Sequence, residues 1–196
     1  VDRNDLITQI RDSIATKQRF LDACVDEVER LCELAARVVR SGGKLMLCGN
    51  GGSSCDAAHA AGELIGWFED KERDGIPAIA LGHEVPSLTA IGNDAGFDQV
   101  FSRQVRALGR PGDLLIGIST SGGSRNVVAA MATARAMGIA TAALCSERGG
   151  AVADLADVAV RVPSPSTPRV QESHLLVVHL LCGWLEAALR DPDRMS

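Results

Sequence analysis

The chain has 196 residues, 46% hydrophobic and 23% charged, enough for one domain with a substantial core and too few for two comfortable ones. A net charge of −5 with 3% aromatic residues and no tyrosine argues against a surface that grips a nucleic-acid backbone or stacks bases, and leaves one small phosphate in a pocket compatible. Six cysteines with no C-x-x-C pair read as reduced core residues, and a charged start without a run of about 18 apolar residues reads as a cytoplasmic protein with no leader and no membrane span.

From Asn4 to Arg40 the apolar spacing is helical, with Leu6, Ile10, Ile14 and Leu21 on one side and Val25, Val28, Cys32, Ala35 and Val39 on another. This predicts two helices or one bent helix, an arm over residues 1–41 that packs on the domain or on a second copy of the chain. The stretch Leu45 to His59 follows, with a buried strand, a glycine turn and an alanine-rich helix from Cys55 to about Phe68 for which Ser53 and Ser54 can serve as caps. Free amides and the dipole at such a helix start make a seat for an anion. The loop is not a dinucleotide fingerprint, since Gly49, Gly51 and Ser54 give G-x-G-x-x-S and no acid ends the next strand; nor does it have the Gly-Lys-Ser/Thr ending of a Walker loop.

Asp70 to Gly75 reads as a charged linker, Ala78 to Leu81 as a strand, Gly92 to Gly96 as a turn and Gln99 to Leu108 as a helix. A second strand, turn and helix then repeat the first arrangement: Asp113 to Ile118, the hydroxyl-rich Ser119-Thr120-Ser121-Gly122-Gly123-Ser124, and a helix from Asn126 to Met137. Strands over Ile139 to Leu144 and Val158 to Val162, a connector from Pro163 to Pro168 and a long apolar helix from Arg169 to Leu189 complete the chain. Strands alternating with helices predict a single domain over residues 1–196 of the α/β class, a three-layer α/β/α sandwich on a five-stranded parallel sheet.

Certain polar residues stand out from these apolar helices. His59 and Glu63 lie four apart and rise from one helix face, where they serve either as an exposed pair or as a site for a metal or a proton. Gln171, Glu172, His174 and His179 interrupt the last helix, His174 reading as a core residue. Eight positions, a rise of about 12 Å, keep Gln171 and His179 from touching one ion on the same helix. Either Gln171 precedes the helix or one of the two comes from a neighbouring chain; the neighbour is favoured, which predicts sites at subunit interfaces.

Cys48-Gly49-Asn50-Gly51-Gly52-Ser53, His59-x-x-x-Glu63, Gly92-Asn93-Asp94, Gly117-Ile118-Ser119-Thr120-Ser121-Gly122 and Arg169-Val170-Gln171-Glu172-Ser173-His174 together resemble the sugar isomerase (SIS) domain family, and within it the phosphoheptose isomerases. The likeness runs over nearly the whole chain with the motifs in family order. It implies a cytoplasmic homotetramer that interconverts sedoheptulose 7-phosphate and D-glycero-D-manno-heptose 7-phosphate through an enediol, usually with Zn2+. By position, Ser53, Ser119, Ser121 and Ser124 would hold the phosphate, Asn50, Asp94 and Thr120 would meet the sugar hydroxyls, and Gly51 and Gly52 would also be substrate-binding. His59, Glu63, Gln171 and His179 would form the metal site, with Glu63 and His179 as the acid–base pair and Gln171 also meeting substrate.

Two residues depart from the family pattern: Trp67 stands where many relatives have arginine, and Pro168 where an acidic residue is expected. An indole does not replace a charged donor, so a different sugar phosphate is an alternative substrate. Another alternative is a non-enzymatic SIS adaptor that binds the replication initiator protein, but such adaptors lose the histidine equivalent to His179, which this chain keeps. A sugar-phosphate-sensing regulator would need a further domain for which 196 residues leave no room.

Overall fold

Asp2 opens the first helix by a reciprocal cap, its carboxylate accepting from the amides of Asn4 and Asp5 while Asp5 accepts from the Asp2 amide. The computed structural model describes residues 2–190; residues 1 and 191–196, counted in the expected domain, lie outside them. The elements are α1 (Arg3–Arg40), β1 (Leu45–Gly49), α2 (Gly52–Ile65), β2 (Ala78–Ala80), α3 (Val85–Ala95), a 3₁₀ turn (Phe97–Gln99), α4 (Val100–Leu108), β3 (Leu114–Ser119), α5 (Arg125–Ala136), β4 (Ala140–Ser146), α6 (Gly150–Asp154), β5 (Val158–Val162) and α7 (Thr167–Arg190).

The five strands are parallel, in the order β2-β1-β3-β4-β5. Successive side chains on each strand serve opposite layers. Leu45, Leu47, Leu114, Ile116 and Ile118 face the core shared with α1, α2 and α7, while Met46, Cys48 and Leu115 join Val105, Val127 and Met131 on the other side. Each of these side chains, at most 1% exposed, contributes on the order of 2 kcal/mol through burial. The expected three-layer sandwich is therefore present.

α1 is one helix of 38 residues, not two. Only its later part, from Thr16 through Phe20, Cys24, Val28 and Leu31, is buried; Leu6, Ile10 and Ile14 stay 57%, 61% and 64% exposed. A polar network ties its first half to α7. Arg169 donates to the Gln9 carbonyl and to Glu172, which accepts from Ser13 at 2.7 Å.

Other boundaries differ from the sequence reading for physical reasons. The supposed turn at Gly92 to Gly96 is the end of α3, a helix with no fully buried residue, whose Leu88 and Ile91 pack partly buried on the core, started by Glu84 accepting from the Ser87 amide and by Pro86 in its first turn. α2 starts at Gly52, so Ser53 and Ser54 lie inside its first turn; Gly51 holds the cap position and no side chain caps the helix. α7 starts at Thr167, which puts Pro168 in a first turn that has no use for its missing N–H.

Cys55 departs from the core reading of the cysteines and is exposed, while the other five are buried and none forms a disulfide. Burial pushes the Cys32, Cys48 and Cys182 thiols up to about 12. Against the expectation of no spanning segment, α7 is long and apolar enough by length and composition to cross a membrane. Its buried Ser173, His174 and Glu186 and its packing on the sheet make it a core helix.

Candidate active site

The strand order places the site. From β1 the chain passes to β2 at one side and then returns past β1 to β3, so the carboxyl ends of β1 and β3, paired through Gly49 and Ile118, form the switch point where ligands gather in open α/β sheets. The loops leaving those strands are bolted together: the Asn50 and Asn126 side-chain amides each donate to the other, both at 2.8 Å. Ser119 Oγ lies 2.9 Å from Ser124 Oγ and 3.5 Å from Ser121 Oγ, which accepts from the Gly123 amide. Neither α2 nor α5 has a side-chain cap at its N-terminus. Two helix starts with hydroxyls around them thus stand side by side as an anion seat.

Glycine is required at two points of this seat. A Cβ on Gly52 would stand 2.5 Å from Gln171 Nε2, so its absence lets the Gln171 amide lie over the first turn of α2. Gly122, at φ +68°, packs so closely on the turn after β4 that a Cβ would meet the Gly149 carbonyl oxygen at 1.9 Å.

Two turns along α2, His59 and Glu63 meet α7. His59 Nε2 is 3.0 Å from His179 Nε2 and 3.8 Å from Glu63 Oε1, with the two imidazole rings edge to face at 5.2 Å. At 3.0 Å one imidazole donates and the other accepts. The Phe68 ring stacks on His179 at 5.6 Å and 26°. Two nitrogens that each bind zinc at about 2 Å in a tetrahedron stand roughly 3.3 Å apart, so the histidine pair has a fitting separation and Glu63 a fitting chemistry. The set is not closed, because among the described residues no three His, Cys, Asp or Glu groups already stand ready to hold a metal ion.

Residues 10–146 match the SIS domain. The chain is 47% identical over 184 residues to a phosphoheptose isomerase of Roseiflexus sp. (strain RS-1), covering 94% of this chain and 93% of the relative. It also matches the solved structure of a phosphoheptose isomerase from Neisseria gonorrhoeae, with 40% identity, a TM-score of 0.89, and 94% and 98% of the two chains covered. For the phosphoheptose isomerase from Francisella tularensis the values are 34%, 0.91, 94% and 97%. The chain belongs to the phosphoheptose isomerase family of SIS domain proteins.

Within that family fold, the residues expected at the site are brought together in two groups. Asn50, Gly51, Gly52, Ser53, Ser119, Thr120, Ser121, Ser124 and Gln171 lie at the switch point or on the helix turn above it. His59, Glu63 and His179 form the second group within one chain, two turns away. Gln171 belongs to α7 itself. That removes the option of a glutamine preceding the helix, and leaves Gln171 about two turns from the histidine pair of its own chain. Asp94 is exposed on the last turn of α3, where it accepts from Asn93; among the described residues no hydrogen bond ties it to either loop.

His174 is a core residue, fully buried, with no well-formed hydrogen bond on either ring nitrogen. Burial pushes its pKa down to about 4, against a smaller opposing effect from the Cys145 backbone. Trp67 is 56% exposed, with Lys71 Nζ at 5.9 Å from its ring centroid. Sequence reasoning missed Asn126, Phe68 and His83. The last of these brings an imidazole to the anion seat, its Nε2 being 3.0 Å from Ser54 Oγ and 3.1 Å from the Ser54 carbonyl oxygen. A polar residue just after the hydroxyl loop is the one signal in the sequence that could have found Asn126.

Proposed function

We propose that the protein is an aldose–ketose isomerase that converts sedoheptulose 7-phosphate to D-glycero-D-manno-heptose 7-phosphate. One observation carries this reading: an imidazole–carboxylate cluster stands on the same helix as an anion seat, at a separation that suits the substrate. Seven residues of α2 separate Gly52 from His59, a rise of about 10 Å. Eight bonds run from C1 to the phosphorus of a heptose 7-phosphate, which at about 1.2 Å of reach per bond span roughly 10 Å. A five-carbon sugar phosphate falls about 2 Å short on the same count.

In this reading the uncapped starts of α2 and α5, with Ser53, Ser119, Ser121 and Ser124, hold the phosphate. Asn50, Thr120 and Asp94 meet the hydroxyls. Glu63 takes a proton from C1 of the ketose and delivers it to C2 of the enediol, while His179 protonates the C2 carbonyl oxygen and takes the proton of the C1 hydroxyl. His59, Glu63 and His179 would hold a zinc ion, with Gln171 of a neighbouring copy as the further donor. Bound there, the ion would polarise the carbonyl as a Lewis acid.

Assembly accords with this. Leu6, Ile10, Ile14, Leu21 and Val25 leave an apolar stripe exposed along α1, and a groove of about 740 Å³ between α1 and α7 has His179 among its lining residues. A homotetramer with sites between subunits would cover both. Six thiols without a disulfide suit the cytoplasm.

The test is turnover of sedoheptulose 7-phosphate before and after chelation, with metal content measured on the same sample. The expected result is isomerisation that chelation abolishes and Zn2+ restores. Absence of turnover in metal-replete protein contradicts the proposal.

A further inference from the structure

The segment between α2 and β2, which reads as a charged linker in the sequence, is clamped at its centre by one buried carboxylate. Glu186, 5% exposed on α7, accepts at Oε1 from the Phe68 amide at 3.0 Å and from Arg73 Nε at 2.7 Å, and at Oε2 from the Glu69 and Asp70 amides, each at 3.0 Å. The remaining Arg73 donors go to the carbonyls of Glu63 at 2.7 Å, Leu64 at 2.9 Å and Asp74 at 3.0 Å. Those of Glu63 and Leu64 belong to the last turn of α2, where no helical partner is available. One ion pair therefore joins α7, the linker and the end of the helix that carries Glu63.

This clamp decides where the Phe68 ring lies. With its amide held on Glu186, Phe68 stacks on the His179 imidazole at 5.6 Å and 26°. The ring also rests against Gly183, one turn further along α7, where a Cβ would stand 3.5 Å from it. An imidazole on a helix surface is free to turn about two side-chain bonds. A flat ring against one face restricts that freedom and leaves the Nε2 edge facing His59.

We propose that Phe68 is a positioning residue that fixes the orientation of His179, and that Arg73 and Glu186 act by holding Phe68 in place. The proposal rests on the isomerase reading for its kinetic consequence, but its geometric content is independent of it.

The experiment compares the wild-type protein with Phe68→Leu, which keeps apolar bulk without a flat face, and with Phe68→Tyr, which keeps the ring. Steady-state kinetics with sedoheptulose 7-phosphate are read beside the imidazole nitrogen resonances of His179 and His174. Because a misplacement of about 1 Å costs up to 100-fold, Phe68→Leu is expected to lower kcat by about tenfold or more and to change KM by less than about twofold. Its His179 resonances move or broaden while those of His174 stay, and Phe68→Tyr returns both readouts to near wild type. Wild-type kcat in Phe68→Leu overturns the proposal, and so does a lower kcat with unmoved His179 resonances. If the wild-type protein shows no turnover, the isomerase reading fails and the His179 resonances alone decide: movement in Phe68→Leu with recovery in Phe68→Tyr supports positioning, and no movement overturns it.

Discussion

The side-chain amides of Asn50 and Asn126 exchange a pair of hydrogen bonds, each 2.8 Å long, across the loops that end β1 and β3. Asn126 is 3% exposed and its Oδ1 also accepts from the Val127 amide at 3.0 Å, so the pair fixes one loop against the start of the other helix.

Removing Asn126 leaves Asn50 without its partner. Asn126→Ala is expected to cost about 1–3 kcal/mol in denaturant unfolding. It should raise KM for the sugar phosphate several-fold with a smaller change in kcat, because the seat is loosened and the proton-moving groups are not touched. The Asn50→Ala, Asn126→Ala double variant should fall short of the sum of the single effects by about 0.5 kcal/mol or more. Strict additivity would show that the two loops are not coupled through these amides.

His174 gives a pH signature. Its pKa is about 4 in the folded protein against 6.5 for the free group. Between those values the unfolded chain binds a proton that the folded chain refuses, so stability rises with pH through that window. The His174 contribution is fully present above about 6.5 and is lost towards pH 4, a total of about 3 kcal/mol. His174→Phe, which keeps a ring in the core, is expected to flatten unfolding free energy between pH 6.5 and 4.5. A slope unchanged in the variant would assign the effect to other groups.

Burial alone would raise the Glu186 carboxyl, but Arg73 and the amides of Asp70, Glu69 and Phe68 outweigh it and hold the pKa below the ordinary glutamate value of 4.5. A depressed acid stabilises the fold above its unfolded pKa and loses that contribution as pH falls below 4.5. The side chains of Arg73 and Glu186 are 7% and 6% exposed, so Arg73→Met strands a buried charge. A loss of about 3–5 kcal/mol at neutral pH is expected from thermal or denaturant melts. A loss below about 1 kcal/mol would mean that the pair is not a structural clamp.

The apolar stripe of α1 gives a test of assembly that does not involve the site chemistry. Ile10 and Ile14 are 61% and 64% exposed in the single chain. Ile10→Glu with Ile14→Glu should shift sedimentation towards smaller species while leaving the sheet domain folded, and should lower activity if sites are shared between copies. Unchanged sedimentation would locate the interface elsewhere.

Both anion loops were legible in the sequence because their chemistry is local: glycines, hydroxyls and a strand that ends in a helix start. The sheet was legible because its strands are apolar runs between helical segments. The meeting of His59 with His179 was legible only through the family resemblance and not from spacing, since it depends on how α2 and α7 lie against one another. Nor was α3 legible, where the turn chemistry of Gly92, Asn93, Asp94 and Gly96 masked the helical spacing of Val85, Leu88 and Ile91. The linker from Asp70 to Gly75 looked like solvated charge; Glu186, far along the chain, turns it into an ordered support.

The most direct test of the account is kcat for sedoheptulose 7-phosphate in Glu63→Gln, measured beside the wild-type protein at matched metal content, with product identified by NMR. Glutamine keeps the shape of the side chain and removes its ability to take a proton. The account predicts a fall in kcat of about 100-fold or more with KM changed only a few-fold. A variant that turns over substrate at the wild-type rate would contradict it.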